Sequence, residues 1–125
     1  MDVQNKIKIE RRGDVTLFYV SGEVNRFSEP FFKDAYAQVD SQETKKILLK
    51  FHEKAYINSE GLKVLIQLLS ETNKNKQQIA IVGLSEHFKK IFRMVGITKF
   101  AEVFGSVKEA IEGLCGSTEN SESTS

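Results

Sequence analysis

The chain has 125 residues, 40% hydrophobic and 28% charged, and a formal net charge of +1. That is the length of one ordinary domain, with enough apolar material for one core. Acids and bases are mixed along the chain, which argues against a strongly basic face for nucleic acid and against a polybasic membrane patch. Lys45-Lys46 and Lys89-Lys90 form only short pairs and read as solvated ends of elements. Cys115 is the single cysteine, so no internal disulfide can form. No apolar run approaches the ~20 residues that span a bilayer, and the N-terminus MDVQNKIKIERR has no apolar signal core. A cytoplasmic location is expected.

In chain order, short β-branched runs alternate with helical periods. Ile7 to Arg11 and Val15 to Ser21 read as strands, and Arg12-Gly13-Asp14 between them reads as the tight turn of a hairpin. Ser28-Glu29-Pro30 marks a helix start, with serine as N-cap and proline in the first turn. Phe32, Ala35, Tyr36 and Val39 follow at i, i+3, i+4, i+7, which places them on one helical face over roughly 29–40. Lys46 to Phe51, KILLKF, is nearly continuous in apolar character and reads as a buried, central strand.

Leu62, Leu65, Ile66 and Leu69 repeat the helical spacing over 60–73. Gln78 to Val82, QIAIV, is a further buried strand closed by Gly83. Phe88, Ile91, Phe92 and Val95 define a third helical face over 85–95, with Gly96 as its stop. Phe100 to Phe104 reads as a last short strand, and Val107, Ala110, Ile111 and Leu114 as a fourth helical face over 106–114. Four helices that each carry one apolar stripe, and strands that need covering, imply an α/β domain. Its expected form is a four- or five-stranded mixed sheet packed with helices. Residues 1–115 form that domain. Residues 116–125, GSTENSESTS, hold no large apolar side chain and are expected to be a disordered tail.

Motifs for catalysis are missing. His52 and His87 are far apart in sequence, and there is no HExxH, CxxC or other metal-ligand spacing. Ser59 lies in N-S-E-G, which lacks the G-x-S-x-G of a nucleophile elbow. Gly61 stands alone, without a phosphate-cradling loop. Neither an enzymatic activity nor a cofactor or metal is expected.

One segment stands out, Ala55 to Leu62, which joins the central strand to the second helix. Asn58 or Ser59 can be the N-cap, with Glu60 in the first turn, where negative charge is favoured. A capped helix and nothing more is one reading. The other is that Ser59 is a phosphorylation site, because free N–H groups and the positive end of the helix dipole accommodate a phosphate.

The stretch YINSEGLKVLI resembles the signature of the STAS family, whose anti-sigma-factor antagonists carry D-S-[ST]-G-L at the start of the second helix. On that match Asn58 stands where the family usually has Asp, and Ser59 stands at the phosphorylated serine. Glu60 replaces the second hydroxyl residue, and Gly61-Leu62 agree. Val20 to Asn25, VSGEVN, is similar to the family's v-x-G-e-[IL]-D segment, and Ile79 to Ile97 resembles its later strand and helix. The likeness runs from about residue 5 to 114.

It implies a STAS-like fold and a partner-switching antagonist. The unphosphorylated form binds a serine-kinase anti-sigma factor. Phosphorylation of Ser59 releases it, and a serine phosphatase resets the cycle. ATP and metal ions belong to those partners. Asn25, Asn58, Ser59, Glu60 and Gly61 are the implied partner-binding residues. The departures are Asn25 and Asn58, both Asp in the usual antagonist. An amide keeps shape and capping ability but removes charge. The alternative is a scaffolding STAS module in which Ser59 is silent.

Overall fold

The computed structural model describes residues 6–39, 43–52 and 55–124, with side chains described to residue 115. Strand β1 (Lys6–Arg12) pairs antiparallel with β2 (Val15–Ser21), with Arg12 opposite Val15. The turn between them is therefore only Gly13-Asp14. Gly13 adopts φ +58°, a conformation that costs glycine nothing. Arg12 belongs to the strand and not to the turn.

The remaining strands are β3 (Lys46–Phe51), β4 (Gln78–Val82) and β5 (Glu102–Phe104). They add in parallel, so the sheet order among the described residues is β1-β2-β3-β4-β5. The upper limit of the expected strand number is the correct one, and the KILLKF strand is central. Helix α1 (Glu29–Ala37) links β2 to β3, α2 (Ser59–Lys74) links β3 to β4, and α3 (Glu86–Met94) links β4 to β5. Each crossover steps in the same direction across the sheet. Right-handed connections then place all three helices on one face. Helix α4 (Val107–Thr124) follows the last strand, is free of that constraint, and covers β3, β4 and β5 from the other face.

Alternation along the strands divides the core accordingly. Phe18, Val20, Ile47, Leu49, Phe51, Ile79 and Ile81 face the three-helix side. Val15, Leu17, Leu48, Ala80 and Val82 face α4, together with Ala110 and Leu114. Strand β3 is apolar on both faces, which explains the unbroken run in its sequence.

Four expectations change in detail. In α2 the buried set is Gly61, Val64, Leu65, Leu68, Leu69 and Thr72, while Leu62 and Ile66 sit half-buried at its rim. In α3, Phe88 and Phe92 are buried, but Val95 is 47% exposed because the chain leaves the helix there through Gly96. Ser28 precedes α1 as expected, yet its hydroxyl makes no cap bond to that helix and turns inward instead. Finally, the apolar spacing ends α4 at residue 114, whereas its backbone continues to Thr124. No proline follows to stop it, and Gly116 weakens a helix without breaking it. The side chains of the expected tail lie outside the described residues.

Candidate functional site

The parallel strands deliver their loops to one end of the sheet, at their C-terminal ends, where open α/β sheets present their sites. Two of these loops pack directly together. Val24, in the loop after β2, forms a parallel bridge with Ile57, in the loop after β3. The Val24 N–H donates to the Tyr56 carbonyl at 2.8 Å, and the Asn58 N–H donates to the Val24 carbonyl at 3.1 Å. Val24 and Ile57 are themselves buried, so the bridge is anchored in the core.

Each loop then starts a helix with an asparagine. Asn25 has extended backbone, and its Oδ1 accepts from the Phe27 N–H at 2.9 Å. The Asn25 N–H donates to Ser28 Oγ at 2.9 Å, which completes a reciprocal capping box around the 3-10 turn Arg26–Ser28. Asn58 is the N-cap of α2, and its Oδ1 accepts from the Gly61 N–H at 2.8 Å. Of the two cap candidates in the sequence, the structure selects Asn58. Ser59 is then the first helical residue, exposed, with no hydrogen bond to its hydroxyl among the described residues.

Glu60, also exposed, pairs with Lys63 at 3.4 Å. Both carboxylate and serine stand on the first turn, where backbone N–H groups are unsatisfied and the dipole end is positive. The tertiary structure thus gathers Asn25, Asn58, Ser59, Glu60 and Gly61 at one place. Gly61 differs from the other four in being buried against Val24, so it sets the approach of α2 and presents no surface to a partner.

Two further residues belong to this surface and were not singled out as functional in the sequence. Phe27 is 65% exposed and Tyr56 57% exposed. The Arg26 guanidinium lies 4.7 Å from the Phe27 ring centroid, and the Tyr56 ring meets Phe88 edge-on at 5.7 Å. Large aromatic rings left in water beside a polar cluster are typical of an interaction surface. The available signal was that both fall outside every apolar helical stripe. His52 and His87 are exposed, and His87 contributes an edge contact to Phe88. Among the described residues, no helix is long and apolar enough to cross a membrane.

Comparison with known proteins agrees with this architecture. A family model described as STAS domain matches residues 6–110. The anti-sigma-B factor antagonist of Listeria monocytogenes is 24% identical over 103 residues, covering 82% of this chain and 90% of that protein. Among solved structures, an anti-sigma factor antagonist from Mycobacterium paratuberculosis superposes with a TM-score of 0.73 at 17% identity, covering 89% of this chain and 94% of that one. The anti-sigma factor antagonist SpoIIAA in its unphosphorylated form gives 0.65 at 14% identity, covering 89% and 97%.

Proposed function

The chain belongs to the STAS domain family, and from that premise we propose that it is a cytoplasmic anti-sigma-factor antagonist that works by partner switching. In this reading the unphosphorylated chain binds a serine-kinase anti-sigma factor and so frees a sigma factor. Transfer of phosphate to Ser59 ends the complex, and a serine phosphatase restores the binding form. The chain is a regulator and its partners supply the chemistry.

The observation that carries the proposal is the position of Ser59. It is exposed at the first residue of α2, next to a cap that does not use its hydroxyl. A kinase can reach it, and the helix end tolerates the product: a phosphoserine adds about −1.5 to −2 charges at neutral pH, partly offset by the dipole and the free N–H groups. The fold therefore survives the modification. A partner packed against Ser59, Phe27 and Tyr56 instead meets a hydrated dianion beside the Glu60 carboxylate. Opposing a desolvated contact of this kind costs a few kcal/mol, or about a hundredfold in affinity.

A second reading, a scaffolding STAS module with a silent Ser59, is favoured by one observation. Asn25 and Asn58 both stand where the antagonists usually carry Asp, and both are spent on capping bonds. Phosphosite mapping on the chain co-purified with its kinase from the native cell separates the two. Phosphate on Ser59, with binding to that kinase weakened at least tenfold, supports the switch. An unmodified Ser59 in a stable assembly supports the scaffold.

A further inference from the structure

The charges that are mixed along the sequence are sorted by the sheet. On the face that α4 covers, register places Lys8 opposite Tyr19, and Tyr19 opposite Lys50. Lys6 stands opposite Ser21, two residues further toward the end of the sheet. Helix α4 lies over β3, β4 and β5, so this corner of β1, β2 and β3 is left without a helix above it. The result is a depression of about 330 Å³ lined by Lys6, Lys8, Tyr19, Lys50 and His52, among others, with no carboxylate in its lining among the described residues. Among the described residues none of the three lysines is in a salt bridge. The nearest acid on this face of β1, Glu10, pairs with Arg12 at 3.4 Å. Arg12 in turn donates from Nη2 to the Tyr19 hydroxyl at 3.2 Å.

Edge protection accounts for lysines on β1, which is an outer strand. It does not account for Lys50. That residue sits on the central strand, in register beside Val82 of the buried core, and is itself half-buried. Its stem packs on the sheet while its ammonium reaches the depression without an ion pair among the described residues, so an anion seated there would pair with it.

We propose that this depression is a docking site for an acidic helical segment of a partner protein, which completes the helix layer beside α4. The spacing fits a helix. Lys8 and Lys50 are two strand separations apart, about 10 Å, and Lys6 and Lys8 are about 7 Å apart along the strand. On a helix lying across the strands, glutamates at i and i+7 rise by about 10 Å and match Lys8 and Lys50, with the one at i+4 between them over Tyr19 and Lys6 to one side of that axis. The half-buried Tyr19 ring between the cations offers apolar contact at the centre. A membrane fits less well, because the exposed large apolar residues Phe27, Tyr56, Met94 and Val95 are absent from the lining of this depression.

The test is an amide NMR titration of the full chain with a synthetic alanine-based helix carrying glutamates at i, i+4 and i+7. The same helix with lysines, phosphatidylglycerol vesicles and an oligouridylate serve as the other arms. The expected result is saturable shifts confined to residues around Lys6, Lys8, Tyr19, Ser21 and Lys50, absent with the lysine helix. Lys8→Glu combined with Lys50→Glu should weaken binding about tenfold or more, as should Lys50→Gln alone to a smaller degree. Raising salt to 1 M, where screening acts over about 3 Å, should abolish it. An unchanged spectrum overturns the proposal. So do shifts spread equally over Lys63, Lys74, Lys89 and Lys90, unaltered binding in Lys50→Gln, or tighter binding to the vesicles or the oligouridylate than to the acidic helix.

Discussion

The backbone carbonyl oxygen of Val24 occupies the space that a side chain at Gly61 would need: an ideal Cβ there would lie 2.0 Å from that oxygen and 2.5 Å from its carbon. Both atoms are backbone, locked by the bridge between the two loops. Gly61→Ala must therefore push the start of α2 away from Val24. We expect a loss of about 2 kcal/mol or more in urea unfolding, with amide shifts at Val24, Asn25 and Asn58. A loss below about 0.5 kcal/mol would show that the two loops are free to separate.

Asn58 separates capping from charge. Asn58→Ala removes the 2.8 Å bond to the Gly61 N–H and should cost about 1 kcal/mol. Asn58→Asp keeps an acceptor at the cap and adds a charge that the dipole favours, so stability should stay within about 1 kcal/mol of the parent. Its rate of phosphorylation by the cognate kinase should change by more than its stability does. Equal stability of the alanine and aspartate variants would contradict the capping role.

Ser59 variants address the switch. Ser59→Ala should keep its affinity for the kinase partner and lose all dependence on ATP. Ser59→Asp should bind more weakly, although one carboxylate is a poor copy of a phosphate. Isothermal titration with and without ATP measures both. An alanine variant that still dissociates on adding ATP would place the switch elsewhere.

The core of α2 is a test of facing. Leu65 is 1% exposed, and Leu65→Ala should cost about 2–5 kcal/mol. Leu62 is half-buried at the rim, and Leu62→Ala should cost distinctly less. The reverse order in chemical denaturation would mean that the helix is rotated about its axis.

Deleting residues 116–125 should leave the melting temperature nearly unchanged. The segment contains no large apolar side chain to bury, and glycine, serine, threonine and asparagine are weak helix formers. A drop of about ten degrees or more in a thermal scan would show that the end of α4 docks on the domain.

The elements were legible in the chain's local pattern, because the spacing of apolar residues records which face is buried. The β-branched β2, the doubly apolar β3 and the Phe88/Phe92 face of α3 were all legible in this way, and so was the helix that begins at the Asn58-Ser59 corner. Periodicity fails at the ends of stripes, where burial depends on what lies opposite. Hence Val95 points to water and Val64 and Leu68 do not. Which distant residues meet follows from the packing of the elements. Strand pairing brings Asn25 beside Asn58 through Val24 and Ile57, and sets Lys8, Tyr19 and Lys50 in one row. Lys8 and Tyr19 already share the hairpin expected from sequence, but the Val24–Ile57 bridge and the Tyr19–Lys50 pairing join segments that carry no mark of each other in sequence. They exist because parallel crossovers of one hand must lay the loops side by side at a single end of the sheet.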